Sequence, residues 1–318
     1  MVTLDDIRQA QARLRGIANR TKLLSFPTSD DRSLFLKPEN LQPIGAFKLR
    51  GAYNKIASFS EEERRRGVIT YSSGNHAQGV AYAARALGTK AIVVMPRSAP
   101  ALKRDATAAL GAELVLVGPG SLERQQRAEE LAKEHGYAIV PPYDDEKIIA
   151  GQGTMALEIL EDLPDVGTVL VPVGGGGMIS GISAAIKLTK PDVKVIGAEP
   201  EVAGDAQASL RAGKIVELPA EQATSTIADG LRTQSIGKAN FEHIRKFVDD
   251  IVTVSEDEIR QAVRKLSENP QTVAEPSGAV AVAAFLYHRD QLPQTKVNIA
   301  VVSGGNIDPK MLEELKRS

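Results

Sequence analysis

The chain has 318 residues, of which 39 are Lys or Arg, 40 are Asp or Glu and none is Cys. Balanced charge does not favour a nucleic acid or an acidic membrane surface as a partner, and the lack of cysteine excludes disulfides, thiolate metal sites and a thiol nucleophile. No apolar run approaches the roughly 20 residues of a membrane span, and the acidic N-terminus lacks a signal-peptide core. We therefore expect a cytoplasmic protein with no membrane partner.

Short apolar segments alternate with helical patterns along most of the chain. Thr3 can cap a first helix, and Ser60 with Glu63 has the spacing of a capping box for a later one. We expect strands at 34–37, 68–71, 91–95, 114–117, 137–140, 168–173, 193–198, 251–254 and 297–302.

Strands that alternate with helices indicate mostly parallel sheets covered on both faces. We therefore predict an α/β fold with two sheets. Residues 1–49 and 141–318 are expected to form a large domain, and residues 50–140 a small mobile one.

Lys48 lies in the segment Pro-Ile-Gly-Ala-Phe-Lys-Leu-Arg-Gly-Ala at 43–52, with a glycine three residues to either side. Apolar surroundings disfavour the ammonium and lower its pKa, and a neutral amine can react with an aldehyde. Alternatively, Lys48 is a helix lysine whose stem lies on apolar surface while its amine reaches water. These ten residues alone favour the second interpretation; the motifs that follow favour the first.

Ser-Ser-Gly-Asn-His at 72–76 links an expected strand to an expected helix. Small polar residues there leave backbone N–H groups and hydroxyls at a helix N-terminus, which suits a carboxylate. An ordinary helix cap is the alternative, although a single cap residue would then suffice.

Gly174, Gly175, Gly176 and Gly177 follow the expected strand 168–173 and open an apolar helix. Glycines let the backbone approach a phosphate closely, with N–H groups and the helix dipole directed at it. The pattern is neither the dinucleotide-binding glycine motif nor a P-loop. A flexible turn is the alternative, but four glycines carry a large entropy cost for a simple connection.

Ser-Gly-Gly-Asn at 303–306 follows the last expected strand. It places the Ser303 hydroxyl at the carboxyl end of a strand, where ligands of α/β proteins bind. A simple β-turn is the alternative.

Seven segments together resemble the serine/threonine dehydratase and serine racemase group of fold-type II pyridoxal-phosphate enzymes. The resemblance covers residues 4–308 and implies a tryptophan synthase β-like fold. In chain order these segments are 43–52, 72–76, Ile-Ala-Gly-Gln-Gly-Thr at 149–154, 174–177, Ile-Ala-Asp-Gly at 227–230, Glu-Pro-Ser-Gly at 275–278 and 303–306.

The resemblance implies pyridoxal 5'-phosphate as the cofactor. Lys48 would bind its aldehyde covalently and remove the substrate α-proton. Asn75 would bond the ring hydroxyl oxygen, and Ser303 would face the ring nitrogen. The other implied cofactor-binding residues are Phe47, Gly174, Gly175, Gly176, Gly177 and Met178.

The implied substrate is a small amino acid. Ser73 would be a second catalytic group, on the ring face opposite Lys48. The implied substrate-binding residues are Ser72, Ser73, Asn75 and His76. His76 alone would be interpreted as structural, because most helix histidines are.

Glu199 and Asp205 follow an expected strand and, with the Ala203 carbonyl, could hold a hard cation such as magnesium or calcium. Two carboxylates at this spacing are common by chance, and a pair of solvated side chains is the alternative. The resemblance matches these three residues to the family's divalent-cation site, for Mg²⁺, Ca²⁺ or Mn²⁺.

Two departures from the family pattern bear on function. Ala46 replaces a serine that usually precedes the Phe-Lys pair. Pro-Pro-Tyr-Asp-Asp at 141–145 replaces the His-Pro-Asn of mammalian-type racemases and favours a bacterial dehydratase. We also expect the chain to lack the C-terminal regulatory module of biosynthetic threonine dehydratases.

The resemblance predicts β-elimination from a 3-hydroxy amino acid such as L-threonine or L-serine, giving a 2-oxo acid and ammonia, in a homodimer. A serine racemase and a threo-3-hydroxyaspartate ammonia-lyase are alternatives on the same scaffold. A non-catalytic sensor of a phosphate ligand is the alternative from another class.

Overall fold

The computed structural model describes residues 1–28, 31–99, 101–118 and 120–317. Strands are short and apolar, as the sequence predicted. Their bounds are β1 Leu24–Phe26, β2 Ser33–Pro38, β3 Val68–Tyr71, β4 Ala91–Pro96, β5 Glu113–Val117, β6 Ala138–Ile139, β7 Thr168–Pro172, β8 Lys194–Pro200, β9 Asp250–Val254 and β10 Val297–Val302.

Helices occupy most of the segments between the strands. They are α1 Leu4–Leu14, α2 Lys48–Ala57, α3 Glu61–Arg66, α4 Asn75–Ala86, α5 Ala101–Ala109, α6 Ser121–His135, α7 Glu146–Asp162, α8 Gly177–Thr189, α9 Asp205–Ala212, α10 Ala220–Ala223, α11 Lys238–Phe247, α12 Glu256–Leu266, α13 Pro276–Tyr287 and α14 Pro309–Arg317. Thr3 and Ser60 both cap their helices as predicted.

The strands form two sheets, which confirms the predicted α/β fold. The larger has six strands in the order β1-β2-β10-β7-β8-β9, and the smaller has four in the order β5-β4-β3-β6. Within the described residues, every pairing between these strands is parallel except that of β1 with β2. Along β7, Val169 and Val171 face one apolar cluster and Leu170 faces another, so both faces of the large sheet are covered.

Two elements differ from the expectation. The antiparallel strand β1 was not predicted, because three residues are too few to show a period. The strand expected at 137–140 is reduced to Ala138–Ile139, although the Val140 amide still donates to the Ile69 carbonyl at 2.8 Å. No helix in the described part of the chain combines the length and the apolar character needed to cross a bilayer.

Glycines bring α2, α7 and α8 into close contact. A Cβ on Gly151 would lie 2.6 Å from the Arg50 carbonyl oxygen, and one on Gly153 would lie 2.8 Å from the Gly181 carbonyl oxygen. Both distances are too short for any side chain. The 149–154 motif is therefore a packing element that fixes the helix starting at Lys48 against the helix that follows the glycine run.

Candidate active site

The Lys48 segment is joined to the C-terminal motif by the backbone. Ala46 forms an antiparallel bridge with Gly304, and the Phe47 amide donates to the Ser303 carbonyl at 3.1 Å. Lys48 is the first residue of α2, so this contact sets where the helix begins. Two segments from opposite ends of the chain thereby place Lys48 beside the carboxyl end of β10.

Two glycines allow this arrangement. Gly45 has φ +70°, and a Cβ there would lie 2.4 Å from the Asn306 Oδ1 atom. A Cβ on Gly79 of α4 would lie 3.2 Å from the Lys48 carbonyl oxygen. Larger residues would push the lysine away from α4 or from the C-terminal motif.

The Lys48 amine is desolvated and donates a hydrogen bond to a backbone carbonyl. Nζ donates to the Pro142 carbonyl at 2.7 Å and lies 5.2 Å from the centroid of the Phe47 ring. Although part of the side chain is accessible, desolvation lowers the pKa of Lys48 to about 8. A substantial neutral fraction near pH 8 makes this amine a nucleophile and a base.

The 72–76 loop ends at the N-terminus of α4. The Gly74 amide donates to Ser72 Oγ at 3.3 Å, whereas the amides of Ser73, Asn75 and His76 have no acceptor among the residues that the structure describes. These free N–H groups at the start of α4 can bind an anion, and the half-buried Ser73 is part of the same loop.

The His76 ring lies away from solvent and is neutral. Nε2 lies 3.1 Å from the Val140 carbonyl, which can only accept, so Nε2 carries the proton. Desolvation, with the nearby Lys48 charge, lowers the pKa of His76 to about 3. We therefore expect His76 to bind an anion through its backbone amide and not through its ring.

The glycine run has the geometry of a second anion site. The amides of Gly174 to Met178 have no acceptor in the described part of the chain, and these residues are buried. Gly176 has φ +91°, a conformation that disfavours other residues, and α8 begins directly after it. Five unpaired buried N–H groups at a helix N-terminus require an anion or water.

The segment 140–143 contacts three of the motifs, although the sequence analysis did not assign it to the site. Its Val140 carbonyl accepts from His76, its Pro142 carbonyl accepts from Lys48, and its Tyr143 ring lies against the glycine run. A Cβ on Gly175 would lie 2.3 Å from the Tyr143 ring. A glycine at position 175 indicates a close neighbour, but nothing in the sequence identifies Tyr143 as that neighbour.

Asp144 and Asn240, which were not assigned to the site from the sequence either, support the glycine run. Asp144 accepts from the amides at the start of α11, among them Ala239 at 2.9 Å, and Asn240 of that helix donates to the Gly175 carbonyl at 2.6 Å. The Gly175 carbonyl therefore points toward α11. By holding the start of α11, Asp144 helps to orient the glycine run.

Asn75 joins the two halves of the site. Its Nδ2 donates to Glu275 Oε1 at 2.5 Å, and its Oδ1 accepts from Asn306 at 2.8 Å. Burial raises the pKa of Glu275 to about 7. Ser303, also buried, donates to the Ser277 carbonyl at 3.4 Å.

The predicted metal ligands lie apart from these groups at the carboxyl end of β8. Glu199 and Asp205 are buried, and Glu199 accepts from the amides of Ala206 and Gln207 at 3.1 and 2.8 Å. Both Asp205 oxygens lack a well-formed hydrogen bond within the described residues.

The two carboxylates lie close together in a buried site, and burial disfavours their charged forms. Burial raises the pKa of Asp205 to about 7, and burial together with the Asp205 charge raises the pKa of Glu199 well above its usual range. The described residues include no cluster of three or more His, Asp or Glu side chains suited to a metal. A cation here would need the Ala203 carbonyl or water as additional ligands.

Comparisons with known proteins agree on one family. The family profile described as pyridoxal-phosphate dependent enzyme matches residues 15–304. A Thermotoga maritima protein named L-threonine ammonia-lyase is 48% identical over 320 residues, covering 99% of this chain and 78% of that protein. A Saccharomyces cerevisiae protein named L-threo-3-hydroxyaspartate ammonia-lyase is 42% identical, covering 97% of this chain and 94% of that protein.

A solved structure of maize serine racemase has 38% identity to the chain and a TM-score of 0.93, covering 98% of this chain and 96% of that one. The unpaired amides of the glycine run fit a phosphate, and the desolvated Lys48 amine fits an aldehyde. The chain therefore belongs to the pyridoxal-phosphate-dependent enzyme family, in its serine/threonine dehydratase and serine racemase group.

Proposed function

We propose that the protein is a lyase that removes water and ammonia from a 3-hydroxy amino acid, with L-threonine and L-serine as substrates. The observation that carries the proposal is Lys48, a desolvated amine with a pKa of about 8 between two anion sites made of free backbone amides. One site suits a cofactor phosphate and the other a substrate carboxylate. A general base beside a bound amino acid is what α-proton removal requires.

Pyridoxal phosphate, when bound, withdraws electron density from the substrate α-carbon. The amides of Gly174 to Met178 would hold its phosphate, and Phe47, Asn75 and Ser303 would contact its ring. The free amides of the 72–76 loop, with the Ser72 hydroxyl, would hold the substrate carboxylate and orient the α-hydrogen toward Lys48. Ser303 offers a neutral hydroxyl, which cannot hold a proton on the ring nitrogen as a carboxylate would and therefore favours elimination over transamination.

The direct test is a 2-oxo acid assay with L-serine, L-threonine and L-threo-3-hydroxyaspartate. Turnover of L-threonine or L-serine supports the proposal. If the protein binds the cofactor but releases no 2-oxo acid from any of the three amino acids, the lyase proposal is refuted. A racemase or a non-catalytic sensor of a phosphate ligand would then be the remaining functions.

Racemisation is a second candidate activity, favoured by the half-buried Ser73 hydroxyl in the carboxylate loop and by the similarity to maize serine racemase. Inverting the α-carbon requires a proton donor on the face opposite Lys48. We propose Ser73 for that role. Chiral analysis of recovered substrate separates racemisation from elimination.

We expect Ser73→Ala to reduce the rate of any racemisation at least about tenfold more than it reduces the rate of elimination from the L-substrate. Only proton transfer on the face opposite Lys48 needs the hydroxyl. Both rates are measured on the same preparation, with cofactor content as the control. Equal losses at full cofactor content would contradict two-face proton transfer.

We propose a divalent cation, Mg²⁺, Ca²⁺ or Mn²⁺, bound by Glu199, Asp205 and the Ala203 carbonyl. Its support is the buried carboxylate pair, whose Asp205 oxygens lack a well-formed hydrogen bond within the described residues. Oxygen ligands select these ions over zinc. Because the pair is not hydrogen-bonded to Lys48 or the glycine run, we give the ion a structural role.

Chelation is therefore expected to lower the thermal midpoint and the activity together, and Mg²⁺ or Ca²⁺ to restore both. An ion at about 100 times its Kd stabilises the folded state by about 2.7 kcal/mol. Scanning calorimetry with and without chelator measures the shift. Asp205→Asn should abolish the response to added ion, and a midpoint that chelator leaves unchanged would exclude the site.

Two further proposals concern assembly. We infer from the family resemblance that the protein is a homodimer, which sedimentation can test. We also propose that residues 50–140, which carry the small sheet, move as a unit against the rest. Hydrogen exchange with and without substrate would show protection along the cleft between the sheets, if closure accompanies binding.

A further inference from the structure

The Gly175 carbonyl, within the glycine run, accepts two hydrogen bonds from the start of α11. The Gly237 amide donates to it at 3.1 Å, and the Asn240 side chain donates to it through Nδ2 at 2.6 Å. Gly237 is the residue directly before α11, so both donors belong to the beginning of that helix. A carbonyl oxygen has two lone pairs, and one helix terminus can use both of them here.

This contact sets the direction of the next amide. The peptide that joins Gly175 to Gly176 is trans, and the C=O and N–H of a planar trans peptide point in opposite directions. Because the Gly175 carbonyl is held toward α11, the Gly176 N–H points away from α11. That N–H has no acceptor among the residues that the structure describes, so it is free to bind an anion.

Close packing keeps α11 and the glycine run together. Gly176 has φ +91°, and a Cβ there would lie 2.9 Å from the Asn240 Cβ and 3.1 Å from Ile244 Cδ1. A larger residue at position 176 would push α11 away from the run. The Ser180 hydroxyl of α8 donates to the Asn240 backbone carbonyl at 3.3 Å, so residue 240 is also tied to the helix that follows the run.

The Asn240 side chain is buried, and its hydrogen-bonding capacity is only partly used. It is 0% exposed, and its Oδ1 has no hydrogen-bond partner in the part of the chain that the structure describes. Exchanging the two amide atoms would place Oδ1 against the Gly175 carbonyl, two acceptors in contact, so Nδ2 must face the carbonyl. A leucine of similar size would fill the position without a buried unpaired oxygen. What asparagine contributes here is therefore its bond to the Gly175 carbonyl.

We propose that Asn240 is a positioning residue for the cofactor phosphate, which holds the Gly175 carbonyl away from the phosphate and directs the Gly176 N–H toward it. Without this bond the peptide can rotate and turn its carbonyl oxygen, which repels an anion, into the site. The proposal rests on the function proposed above, which places the cofactor phosphate at the glycine run. Asp144 acts through the same helix, because it accepts from the amides at the start of α11 and keeps that terminus in place.

The experiment compares the binding of pyridoxal 5'-phosphate with that of pyridoxal, which has the same ring and aldehyde but no phosphate. The full-length protein, freed of cofactor, is titrated with each compound. The phosphate preference is the Kd for pyridoxal divided by the Kd for pyridoxal 5'-phosphate.

The preference should be at least about 100-fold in the wild type and should fall about tenfold in Asn240→Leu, which removes the donor. Asn240→Asp should lose more, because it sets a second acceptor against the Gly175 carbonyl. The Kd for pyridoxal itself should stay within about threefold of the wild-type value in both variants. A residue that only supported the fold would weaken both compounds equally.

Asn298→Leu is the matched control. Asn298 is 2% exposed, and its Nδ2 also donates to backbone carbonyls, those of Ser33 and Thr295, at the other end of β10 from Ser303. This variant should lose stability and keep the phosphate preference.

If neither Asn240 variant folds, Asp144→Ala decides the question, because Asp144 is exposed and its replacement leaves the core unchanged. Loss of this cap on α11 should lower the phosphate preference about threefold. An unchanged preference in that variant would then overturn the proposal.

Three other results would also overturn it: a wild type with no phosphate preference, a preference that both Asn240 variants retain, or equal rises of the two dissociation constants. The lyase function can fail separately. If the wild type prefers the phosphorylated cofactor and the Asn240 variants lose that preference, but no amino acid yields a 2-oxo acid, the role of Asn240 stands and the lyase proposal does not.

Discussion

Lys48→Ala is expected to abolish 2-oxo acid formation and covalent attachment of the cofactor. The change removes both the nucleophile and the base at the junction of the two anion sites, so the expected loss is at least about 10³-fold in kcat. The glycine-run amides do not depend on this side chain, and the variant should still bind the cofactor phosphate. Borohydride reduction followed by mass spectrometry of the peptide around residue 48 measures attachment, and a 2-oxo acid assay measures turnover.

Lys55→Ala provides the matched control. Lys55 is on the same helix, and its amine pairs with Asp145 at 2.6 Å in a partly exposed bridge. The two side chains keep only 17% and 20% of their exposure, so loss of the bridge lowers stability more than loss of a surface pair would. Turnover per folded enzyme should nevertheless be retained, because the Lys55 amine pairs with Asp145 and not with the proposed substrate or cofactor groups. A Lys48→Ala enzyme that keeps a few per cent of wild-type turnover would disprove the assignment of Lys48 as the base.

Arg50→Met is expected to cause the largest loss of stability among the variants considered. Arg50 is 1% exposed and donates to Glu39 at 2.8 Å and to Glu158 at 2.7 Å. Lys37, also buried, donates to Glu158 at 2.5 Å. Lys37, Glu39, Arg50 and Glu158 thus form a buried cluster with no net charge, and Arg50 lies two residues after Lys48 in α2.

Methionine keeps much of the arginine's volume but leaves the fully buried Glu39 carboxylate without its main cation. Breaking a buried pair in this way costs about 3–5 kcal/mol. The thermal midpoint measures the loss, and Arg127→Met is the control, because Arg127 makes an exposed bridge to Glu130. A fall in midpoint no larger than in Arg127→Met would show that the cluster contributes little.

The penalty in Arg50→Met should shrink as the pH falls. In the wild type, burial raises the pKa of Glu39, but Arg50, Lys37 and Thr21 together more than offset this, and the net pKa lies below its usual value. The stabilisation from Glu39 is therefore present above the unfolded pKa of about 4.3 and is lost as the pH falls through the folded value. In the variant burial dominates, so Glu39 takes up a proton on mild acidification and the unpaired charge disappears. The difference in midpoint should thus be smaller at pH 5 than at pH 8.

Local signals in the sequence predicted local structure. Thr3 and Ser60 cap helices because a side-chain oxygen reaches the amide three residues on, a contact that needs no distant partner. The glycine run was identified as an anion site because four glycines directly before a helix leave its first amides open. Apolar segments between turns located most strands, since most of the strands, such as β4 and β7, are buried on both faces.

Motif order also predicted which residues would meet, although not how. Lys48 and Ser303 were both assigned to the site, but the bridge from Ala46 to Gly304 depends on β2 and β10 being neighbours in the sheet. Parallel pairing over such a separation leaves no periodic trace in the chain. The 149–154 motif supported the resemblance, and its role in helix packing required the structure.

The sequence by itself determined the fold class and the capped helices, and it singled out the lysine segment and the two loops with free amides, because these follow from contacts within a few residues. Only the tertiary structure decided that Pro142 accepts from Lys48, that Glu275 binds Asn75 from 200 residues away, and that Lys103 of α5 pairs with Asp229. The physical reason is that a polar or charged side chain could pair with many other residues of the chain. Which of them becomes its partner depends on which helices and sheet edges pack together.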